Sequence, residues 1–409
     1  MSGGAETPGA ELHLGFWMLT SGGHVASWRH PATETSRLMT IEHYAETARL
    51  AARGKFDMMF FEDTLAAREG HGGQILGEAS INSLDPVVQI AALAGATRDI
   101  GLAASYSTTY HAPRVLADKY MTVDRLSGGR AGWNMVTSGN AAGRNFGSGA
   151  HPEHEARYGK AHEVVETVKA LWAEAGPSPQ GRPVLIQAGM SQWGLDFASS
   201  YGEAIFAAFR TAQDGQAFRT NLRSAAMAKG RPADAVRVLP GFMPILGSTA
   251  KEVAEKKAFY RELVHPALLR GLLSEQFNFD FSHVPFDKPF PLDEILPTLE
   301  ERPMIGGTRE RFVKDIREGE TVGAYAERLA ARITGHLSAE GGPEAIADFM
   351  ETWLKSGACD GFIMQALQIP LELDAFVNEV VPVLQSRGVF RTDYRGSTLR
   401  AHLDLPAAA

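Results

Sequence analysis

Eight short apolar runs recur along the chain and alternate with longer segments whose apolar residues follow the helical period. Several runs are apolar on both faces, which is typical of parallel strands that are covered by helices. The predicted strands are Leu12–Met18, Phe56–Glu62, Ile100–Tyr106, Ala131–Thr137, Val184–Ala188, Ala204–Ala208, Val236–Ile245 and Gly361–Ala366. The predicted helices are Thr35–Arg53, Pro86–Thr97, Pro113–Leu126, Lys160–Trp172 and Gln213–Lys229. Strands that alternate with helices in this way predict an α/β fold built on a parallel sheet.

The number of predicted strands favours a closed barrel over an open sheet. A (β/α)8 TIM barrel needs about 250 residues, so much of the 409-residue chain is left for tails and insertions. We expect one insertion after the fourth strand (138–159), another after the seventh (247–360), and a C-terminal helical extension. No internal repeat or flexible linker divides the chain. We therefore expect a single elaborated domain over 11–409, preceded by a disordered tail, 1–10.

Composition and charge narrow the class of protein. The formal net charge is −8, which disfavours binding to nucleic acid because phosphates attract basic surfaces. The single cysteine, Cys359, excludes an internal disulfide and a multi-cysteine metal site. No apolar run is long enough to span a bilayer, and the N-terminal segment lacks the features of a secretory signal. We expect a cytoplasmic protein that binds neither nucleic acid nor membrane.

Three familiar kinds of site are disfavoured by residue spacing. The segment Gly147–Pro152 lacks the last glycine of a dinucleotide fingerprint and follows no strand. In Gly189–Gly194 the second glycine of a serine-hydrolase elbow comes one position late. The close pair His151 and His154 has no third metal ligand near it in sequence, so we expect no metal site.

Candidate chemistry lies at the carboxyl ends of the predicted strands, where TIM barrels carry their active sites. These ends are rich in amides, hydroxyls and aromatic rings, with one carboxylate and a few histidines. The candidates there are Phe16, Trp28, Phe61, Asp63, Thr108, Thr109, His111, Asn134 and Val136. Such side chains suit a large, planar, hydrogen-bonding ligand better than a metal ion or a covalent acyl intermediate.

An anion site is predicted after the fifth strand. Gly189–Ser191 follows that strand and opens a helix, whose free N–H groups and dipole favour an anion. His154 and Tyr158 are four residues apart at another helix start, so with Arg157 they can contact the same anion. The alternatives are an ordinary N-cap role for Ser191 and a solvated helix start for the other residues.

Several motifs occur in an order that is typical of one family. They are Thr108–Tyr110, Leu126–Asn134 (LSGGRAGWN), Val136–Ser138, Asn145–Gly147, Arg157-Tyr158, Pro183–Gly189, Gly357–Phe362 and Arg387–Arg400. With these motifs the chain resembles the bacterial-luciferase-like, FMN-dependent monooxygenases, in particular the branch of nitrilotriacetate and dibenzothiophene-sulfone monooxygenases. The likeness extends from about Leu12 to Leu405.

This resemblance implies a two-component system. A separate NAD(P)H:flavin reductase would supply reduced FMN, and this chain would use it with O2 to oxygenate a small organic substrate. Cleavage of a C–S or C–N bond is among the reactions that the resemblance implies, and a homodimer or homotetramer is the implied assembly. Two alternatives remain open: a deazaflavin-dependent hydride-transfer oxidoreductase on the same barrel, and a flavin-binding barrel without turnover.

The resemblance also assigns roles to residues. It places Asp63, Thr108 or Thr109, Asn134 and Val136 around the flavin ring, and His154, Tyr158, Gly189 and Ser191 at the phosphate and ribityl chain. We predict that His24 is the proton donor in oxygen activation, with His111 as second choice; a loop histidine bonded to backbone is the alternative for His24. Phe16, Trp28 and Phe61 are predicted to line the substrate side, although aromatic residues at strand ends also serve as core.

One segment departs from the family pattern. Relatives carry a longer insertion where only Ala173–Arg182 connects a helix to the fifth strand here. We expect the flavin side to be unaffected and the substrate side to differ. The pocket is expected to be more open, or roofed by Asn278–Pro297 instead.

Overall fold

A computed structural model describes residues 11–68, 72, 76, 84–138, 140–147, 152–301, 315–334 and 336–408. The predicted tail, 1–10, lies outside the described residues. The strands are β1 (His13–Trp17), β2 (Met58–Phe61), β3 (Gly101–Ser107), β4 (Ala131–Val136), β5 (Val184–Gln187), β6 (Ala204–Ala207), β7 (Arg237–Leu246), β8 (Leu337–Gly341) and β9 (Gly361–Met364). The helices are α1 (Ile41–Arg53), α2 (Pro86–Ala96), α3 (Pro113–Leu126), α4 (His154–Ala175), α5 (Gln192–Tyr201), α6 (Ala212–Ala228), α7 (Ala250–Leu263), α8 (Pro266–Phe277), α9 (Leu292–Glu301), α10 (Val322–Ala330), α11 (Pro343–Lys355), α12 (371–386, π-helical over Phe376–Val380) and α13 (Leu399–His402).

Eight parallel strands close into a barrel. The order is β6-β5-β4-β3-β2-β1-β9-β7, and β7 pairs with β6 to close the ring. All eight predicted strands are present, so the predicted TIM barrel is confirmed. Helices cover the barrel wall on the outside, as the alternation of elements requires.

The structure adds one strand that the sequence did not predict. The first half of β7 pairs with β6, from Ala204↔Arg237 to Ala207↔Pro240, and its second half pairs with β8. Strand β8 therefore continues the barrel wall above the end of β6. Its sequence, LSAEG, is short and only partly buried, so it lacks the apolar signal that marks the other strands.

Two predicted helices differ from the observed ones. The predicted helix Thr35–Arg53 is divided into a 3-10 turn, Thr35–Arg37, and α1, because the Thr40 side chain accepts the His43 N–H and begins a new helix. Helix α4 begins at His154, six residues before the predicted start. Part of the predicted insertion after β4 is therefore helical.

Alternation along the strands sorts side chains into two layers. Leu14 and Phe16 point outward to the apolar layer between strands and helices, whereas Trp17 and Phe60 point into the barrel. Leu399 and Leu403 of α13 belong to the interior cluster, so the C-terminal extension closes the amino end of the barrel. The mouth at the carboxyl end is left for ligands.

Buried carboxylates hold the amino ends of neighbouring strands together. Asp57, Glu203 and Asp360 come directly before β2, β6 and β9, and each accepts an N–H from the adjacent strand and pairs with an arginine. The backbone donors are Leu14 (2.6 Å), Leu185 (2.8 Å) and Val238 (2.8 Å), and the closest arginines are Arg391, Arg400 and Arg219, each at 2.7 Å. Burial alone would raise the pKa of Glu203, but Arg182 and Arg400 lower it to about 2.

The short connection between α4 and β5 lies at this amino end, away from the mouth. The Gln180 amide donates to Asp124 Oδ1 (2.6 Å) and to the Ala131 carbonyl (2.8 Å), and its oxygen accepts the Arg400 N–H (3.0 Å). The expectation that this connection alters the substrate side is therefore wrong, because helix-to-strand connections of a parallel barrel lie at the end opposite the site.

The insertion between β7 and β9 packs on the loop that follows β1. Phe281, Phe290 and Tyr325 form an apolar cluster with Val25 and Ala26 of that loop. The segment Asn278–Pro297 contributes to this cluster. No helix in the described part of the chain is long and apolar enough to cross a membrane.

We predict that Glu203→Gln lowers the free energy of unfolding by about 3–5 kcal/mol, because two buried guanidinium groups lose their carboxylate. Urea denaturation at neutral pH measures the change. Asp118→Asn is the control: its pair with Arg114 is exposed, so it should change stability by about 0.5 kcal/mol at most. Similar small effects of both substitutions would contradict a structural role for the buried carboxylate.

Candidate active site

Aromatic rings form the floor of the barrel mouth. Trp17 of β1 and Phe60 of β2 meet Phe206 of β6 with ring centroids 5.2 and 5.6 Å apart. His336, just before β8, stacks on Phe206 at 5.6 Å with the planes 5° apart. A Cβ on Gly241 would come within 2.4 Å of His336 Nδ1, so this stacking requires glycine there. Trp17 and Phe60 pack edge to face against Phe206, and the floor is an apolar surface inside the barrel.

Strands β3 and β4 supply the polar wall beside this floor. Asn134 Nδ2 donates to Ser105 Oγ at 2.8 Å, and among the described residues its Oδ1 is buried without a hydrogen-bond partner. Thr108 Oγ1 donates to the Val136 carbonyl (3.1 Å), and Thr109 Oγ1 to the Thr137 carbonyl (2.9 Å). The four residues predicted around a flavin ring on these strands are thus adjacent, and one acceptor is left for a ligand.

A second group of side chains meets at the start of α5. The Tyr158 hydroxyl lies beside the side chains of Ser191, Gln187 and Thr137. Burial raises the pKa of Tyr158 and is the larger effect, while these side chains lower it. A Cβ on Gly189 would lie 2.5 Å from Gln187 Nε2 and 2.7 Å from the Tyr158 hydroxyl. The position therefore admits only glycine unless both side chains move. We call Tyr158, Gln187, Gly189 and Ser191 the α5 cradle.

A buried guanidinium lies next to the α5 cradle. Arg157 is 3% exposed and donates from Nη1 to the Ser138 carbonyl at 2.7 Å, but its Nε has no partner among the described residues. The His154 ring is 5.0 Å from the Tyr158 ring, and burial together with Arg157 lowers the pKa of His154. A positive charge, hydroxyl groups and a helix N-terminus converge here, which is an arrangement suited to an anion.

Ser191 also caps helix α5, which is the alternative role that the sequence left open. Its Oγ accepts the Gly194 N–H at 3.1 Å, so it is the N-cap of α5. A hydroxyl that accepts from the backbone still carries a proton to donate. Capping and anion binding are therefore compatible at this residue.

Asp63 and His111 lie near Asp85, Tyr106 and Lys119 on the outer side of β3. Burial, Asp85 and Glu62 raise the pKa of Asp63 to about 7. The His111 ring stacks at 3.9 Å on Tyr106, an outward-facing residue, and burial lowers the pKa of His111. The structure brings these two predicted residues toward the helix side of the rim.

Two predicted wall residues face away from the mouth. Phe16 and Phe61 are 0% and 2% exposed and belong to the layer between strands and helices, with Phe56 and Tyr44 as their aromatic neighbours. Their predicted role on the substrate side is therefore wrong, because strand alternation turns them outward. Trp17, directly after Phe16, takes the inward position.

The remaining predicted residues lie on the loop after β1. The His24 ring packs 4.8 Å from that of Tyr260, its Nδ1 accepts the Ala26 N–H at 3.2 Å, and burial lowers its pKa to about 3. His24 is therefore a neutral imidazole with its proton on Nε2. Trp28 is half-buried beneath the Arg29 guanidinium, which lies 4.9 Å from the ring centroid.

The structure also gives places to residues to which the sequence assigned no role. Trp17, Phe206 and His336 form the floor, and Thr137 and Gln187 lie beside the Tyr158 hydroxyl. Thr137 and Gln187 follow or end strands, so their place at the rim was visible in the sequence. Their contacts depend on which way the side chains turn. His336 follows an insertion, and no motif marks it.

A cavity of about 410 Å³ opens beside the floor, between the start of α6 and α11. His336, Thr211 and Trp353 are among its lining residues. It shares His336 with the floor but contains none of the residues predicted to bind flavin. Among the described residues, no group of three or more histidine, cysteine or carboxylate side chains is placed to hold a metal ion.

Comparison with known proteins agrees with this arrangement. Residues 20–358 match the family model of luciferase-like monooxygenases. The chain is 34% identical over 443 positions to nitrilotriacetate monooxygenase component A of Aminobacter aminovorans, with 97% of this chain and 96% of that protein covered. It is 34% identical over 442 positions to a dibenzothiophene-sulfone monooxygenase of Rhodococcus erythropolis (strain XP), with 97% of each protein covered.

A solved structure gives the same result. The EDTA monooxygenase of Chelativorans sp. BNC1 superposes with a TM-score of 0.72 at 32% identity, covering 97% of this chain and 99% of that one. The resemblance noted in the sequence is thereby confirmed. The chain belongs to the luciferase-like monooxygenase family, and it is a flavin-dependent monooxygenase that uses reduced FMN and O2 to oxygenate a small organic substrate.

Proposed function

We propose that reduced FMN, supplied by a separate flavin reductase, binds across the barrel mouth with its phosphate in the α5 cradle. The observation that carries this assignment is the buried Arg157 guanidinium beside Tyr158 and Ser191, with one N–H lacking a partner among the described residues. A buried charge of this kind is stabilised by a charged hydrogen-bond partner. The phosphate of FMN supplies one.

The polar wall fits the flavin ring. Asn134 Oδ1 is a buried acceptor without a partner among the described residues, and a ring N–H would satisfy it. Thr108, Thr109 and Val136 lie beside it, and the aromatic floor provides an apolar surface below. When bound, the reduced flavin supplies the electrons that activate O2, so that one oxygen atom enters the substrate and the other leaves as water.

The chain's own residues then control water and protons. Trp17, Phe60 and Phe206 keep water away from the reacting atoms, which protects reactive intermediates from hydrolysis. His24 donates a hydrogen bond from Nε2 as a neutral imidazole, because its pKa of about 3 excludes the protonated ring at neutral pH. Asp63, with a pKa of about 7, can exchange a proton near neutral pH, but it does so on the helix side of the rim and not at the aromatic floor.

The names of the relatives guide the substrate proposal. They give nitrilotriacetate, which contains C–N bonds, and dibenzothiophene sulfone, which contains C–S bonds. We propose that this chain oxygenates a small organic compound next to nitrogen or sulfur and cleaves the C–N or C–S bond. The reductase is a transient partner, and the enzyme works as a homodimer or homotetramer.

The test combines the purified chain with a generic NADH-dependent flavin reductase, FMN and a panel of small amines and thioethers. We expect substrate-dependent formation of an oxygenated or cleaved product. Conversion of all consumed O2 to hydrogen peroxide with every compound would favour a flavin-binding barrel without turnover. Tight deazaflavin binding with anaerobic hydride transfer would favour the deazaflavin alternative.

We predict that Tyr158→Phe weakens FMN binding by roughly 1–3 kcal/mol, because a hydrogen bond to a charged group is lost. Gly189→Ala should weaken binding as well, since its Cβ displaces the Tyr158 hydroxyl. Fluorescence titration of FMN measures both effects. Gly159→Ala is the matched control: it lies next to Tyr158, and a Cβ there contacts nothing within 4 Å. Unchanged FMN affinity in both cradle variants would contradict binding of the phosphate at this site.

We predict that His24 makes the fold sensitive to acid. Its pKa is about 3 in the folded protein and about 6.5 in the unfolded chain, so the unfolded state binds a proton that the folded state excludes. The stabilising contribution is complete above pH 6.5 and is lost as pH falls toward 3, by up to about 1.4 kcal/mol per pH unit. Urea denaturation from pH 7 to pH 5 should show a shallower pH dependence for His24→Gln than for the wild type. Equal slopes would mean that His24 titrates normally.

A further inference from the structure

Arg332 projects from the insertion over the barrel mouth. It lies in the turn between α10 and β8 with a φ of +53°, a left-handed conformation that is uncommon for a residue other than glycine. Its carbonyl accepts a hydrogen bond from Gln365 Nε2 (3.2 Å), just after β9, and its Nη1 lies 3.7 Å from Glu62 Oε1, just after β2. The residue thus spans the ends of β9 and β2, and passes the end of β1 between them.

The guanidinium of Arg332 has one long ion pair and no hydrogen bond among the described residues. The Glu62 contact is an ion pair too long for a hydrogen bond, and no described residue accepts a hydrogen bond from the guanidinium. Its side chain keeps 29% of its surface exposed, and burial of the remainder lowers the pKa of Arg332. A guanidinium has five N–H donors, so Arg332 can donate to a ligand without losing a hydrogen bond to a described residue.

Two buried arginines, Arg130 and Arg400, use most or all of their donors within the described part of the chain. Arg130 donates five hydrogen bonds, to the Ser127, Ile100, Ala94 and Thr97 carbonyls and to Thr97 Oγ1. Arg400 donates to the Gln180 and Pro406 carbonyls and to both carboxylate oxygens of Glu203. Both lie at the amino end of the barrel. Arg332, at the mouth, differs from them in having its donors available.

Two buried polar atoms without partners among the described residues lie on the same side of the mouth. Trp17 is 7% exposed and points into the barrel, and its Nε1 has no acceptor. Gln365 is fully buried, and its Oε1 has no donor. The pair Phe16↔Met364 joins β1 to β9, so Trp17 and Gln365 are one residue further on neighbouring strands. Trp17 Nε1 is therefore an available donor, and Gln365 Oε1 an available acceptor, at the ends of the two strands next to Arg332.

The nearby charges leave Arg332 available. Arg68 forms hydrogen bonds to both carboxylate oxygens of Glu275, so that carboxylate is engaged by another guanidinium. Glu62 is 35% exposed, and its one ion pair among the described residues is the long contact to Arg332. A guanidinium can bind a ligand carboxylate on one edge while Glu62 stays near another.

We propose that Arg332 binds a carboxylate of the substrate, with Trp17 Nε1 as a second donor, so that the substrate is a small organic acid. The inference rests on the proposed function, because it needs FMN on the other side of the mouth. In the closed barrel β1 and β5 are opposite each other, so this site faces the α5 cradle across the aromatic floor. A substrate held here lies beside the flavin and leaves the phosphate site free.

The test uses two matched pairs of probes: thiodiacetate and iminodiacetate, each with its dimethyl ester. Calorimetry on the FMN-loaded enzyme measures binding, and the reductase-coupled assay measures KM and kcat for any probe that is turned over. We expect at least one acid to bind more than tenfold tighter than its ester. Arg332→Gln should weaken binding of the acid by roughly ten- to a hundredfold and leave binding of the ester unchanged.

Further variants separate a binding role from a structural one. Arg332→Lys should retain part of the preference for the acid, because the charge remains but the two parallel hydrogen bonds do not. Trp17→Phe should weaken binding of the acid several-fold, because it removes the Nε1 donor but keeps an aromatic ring in the floor. Arg261→Gln is the control: this arginine of α7 is exposed and pairs with Glu327 at the surface, so acid binding should not change.

Three outcomes would overturn the proposal. The first is that the esters bind as tightly as the acids, and the second is that neither acid binds measurably. The third is that Arg332→Gln weakens FMN binding, which would mean that the guanidinium binds the flavin. Failure of the proposed function has a different signature, since the wild type itself would then fail to bind FMN. An intact FMN titration therefore identifies a failure that belongs to Arg332 alone.

Discussion

The register between neighbouring strands determines the rest of this structure. Asp57, Glu203 and Asp360 each connect the start of one strand to the first N–H groups of the next, and each is neutralised by arginine. Because side chains alternate between the two faces of a strand, a slip of one residue would turn every inward side chain outward. The position of Trp17, Asn134 and Phe206 inside the barrel depends on these contacts at the opposite end.

The two ends of the barrel differ in how their polar groups are satisfied. At the amino end, Arg130 and Arg400 use most or all of their donors, and α13 fills the interior. Asp57, Glu203 and Asp360 each bind a backbone N–H and an arginine there. Asp124 Oδ2 and Arg223 Nε are among the exceptions at this end in the described part of the chain. At the carboxyl end, Asn134 Oδ1 and Arg157 Nε are buried without partners among the described residues. Closing the amino end supplies the stability that lets the mouth keep groups available for ligands.

The mouth itself has two sides with different chemistry. The side formed by β4, β5 and α5 carries hydroxyls, an amide and the Arg157 guanidinium, which suit a phosphorylated planar ring. The side formed by β9, β1 and β2 carries the Trp17 ring and is spanned by Arg332 from the insertion. The insertion packs on the loop after β1 through its own apolar cluster, so variation in the insertion changes the second side and leaves the first unchanged.

The sequence by itself determined the eight barrel strands, and it predicted a site at their carboxyl ends with Tyr158 and Ser191 close together. Apolar period, glycine at the strand-to-helix turn and motif order carry this information locally. Only the tertiary structure decided that Phe16 and Phe61 face outward, that β8 extends β7, and that Arg332 reaches over the mouth from a distant turn. These depend on pairing between residues far apart in sequence: the face that a strand residue occupies is decided by the strands and helices packed around it, and the direction of Arg332 by a left-handed turn that no local pattern marks.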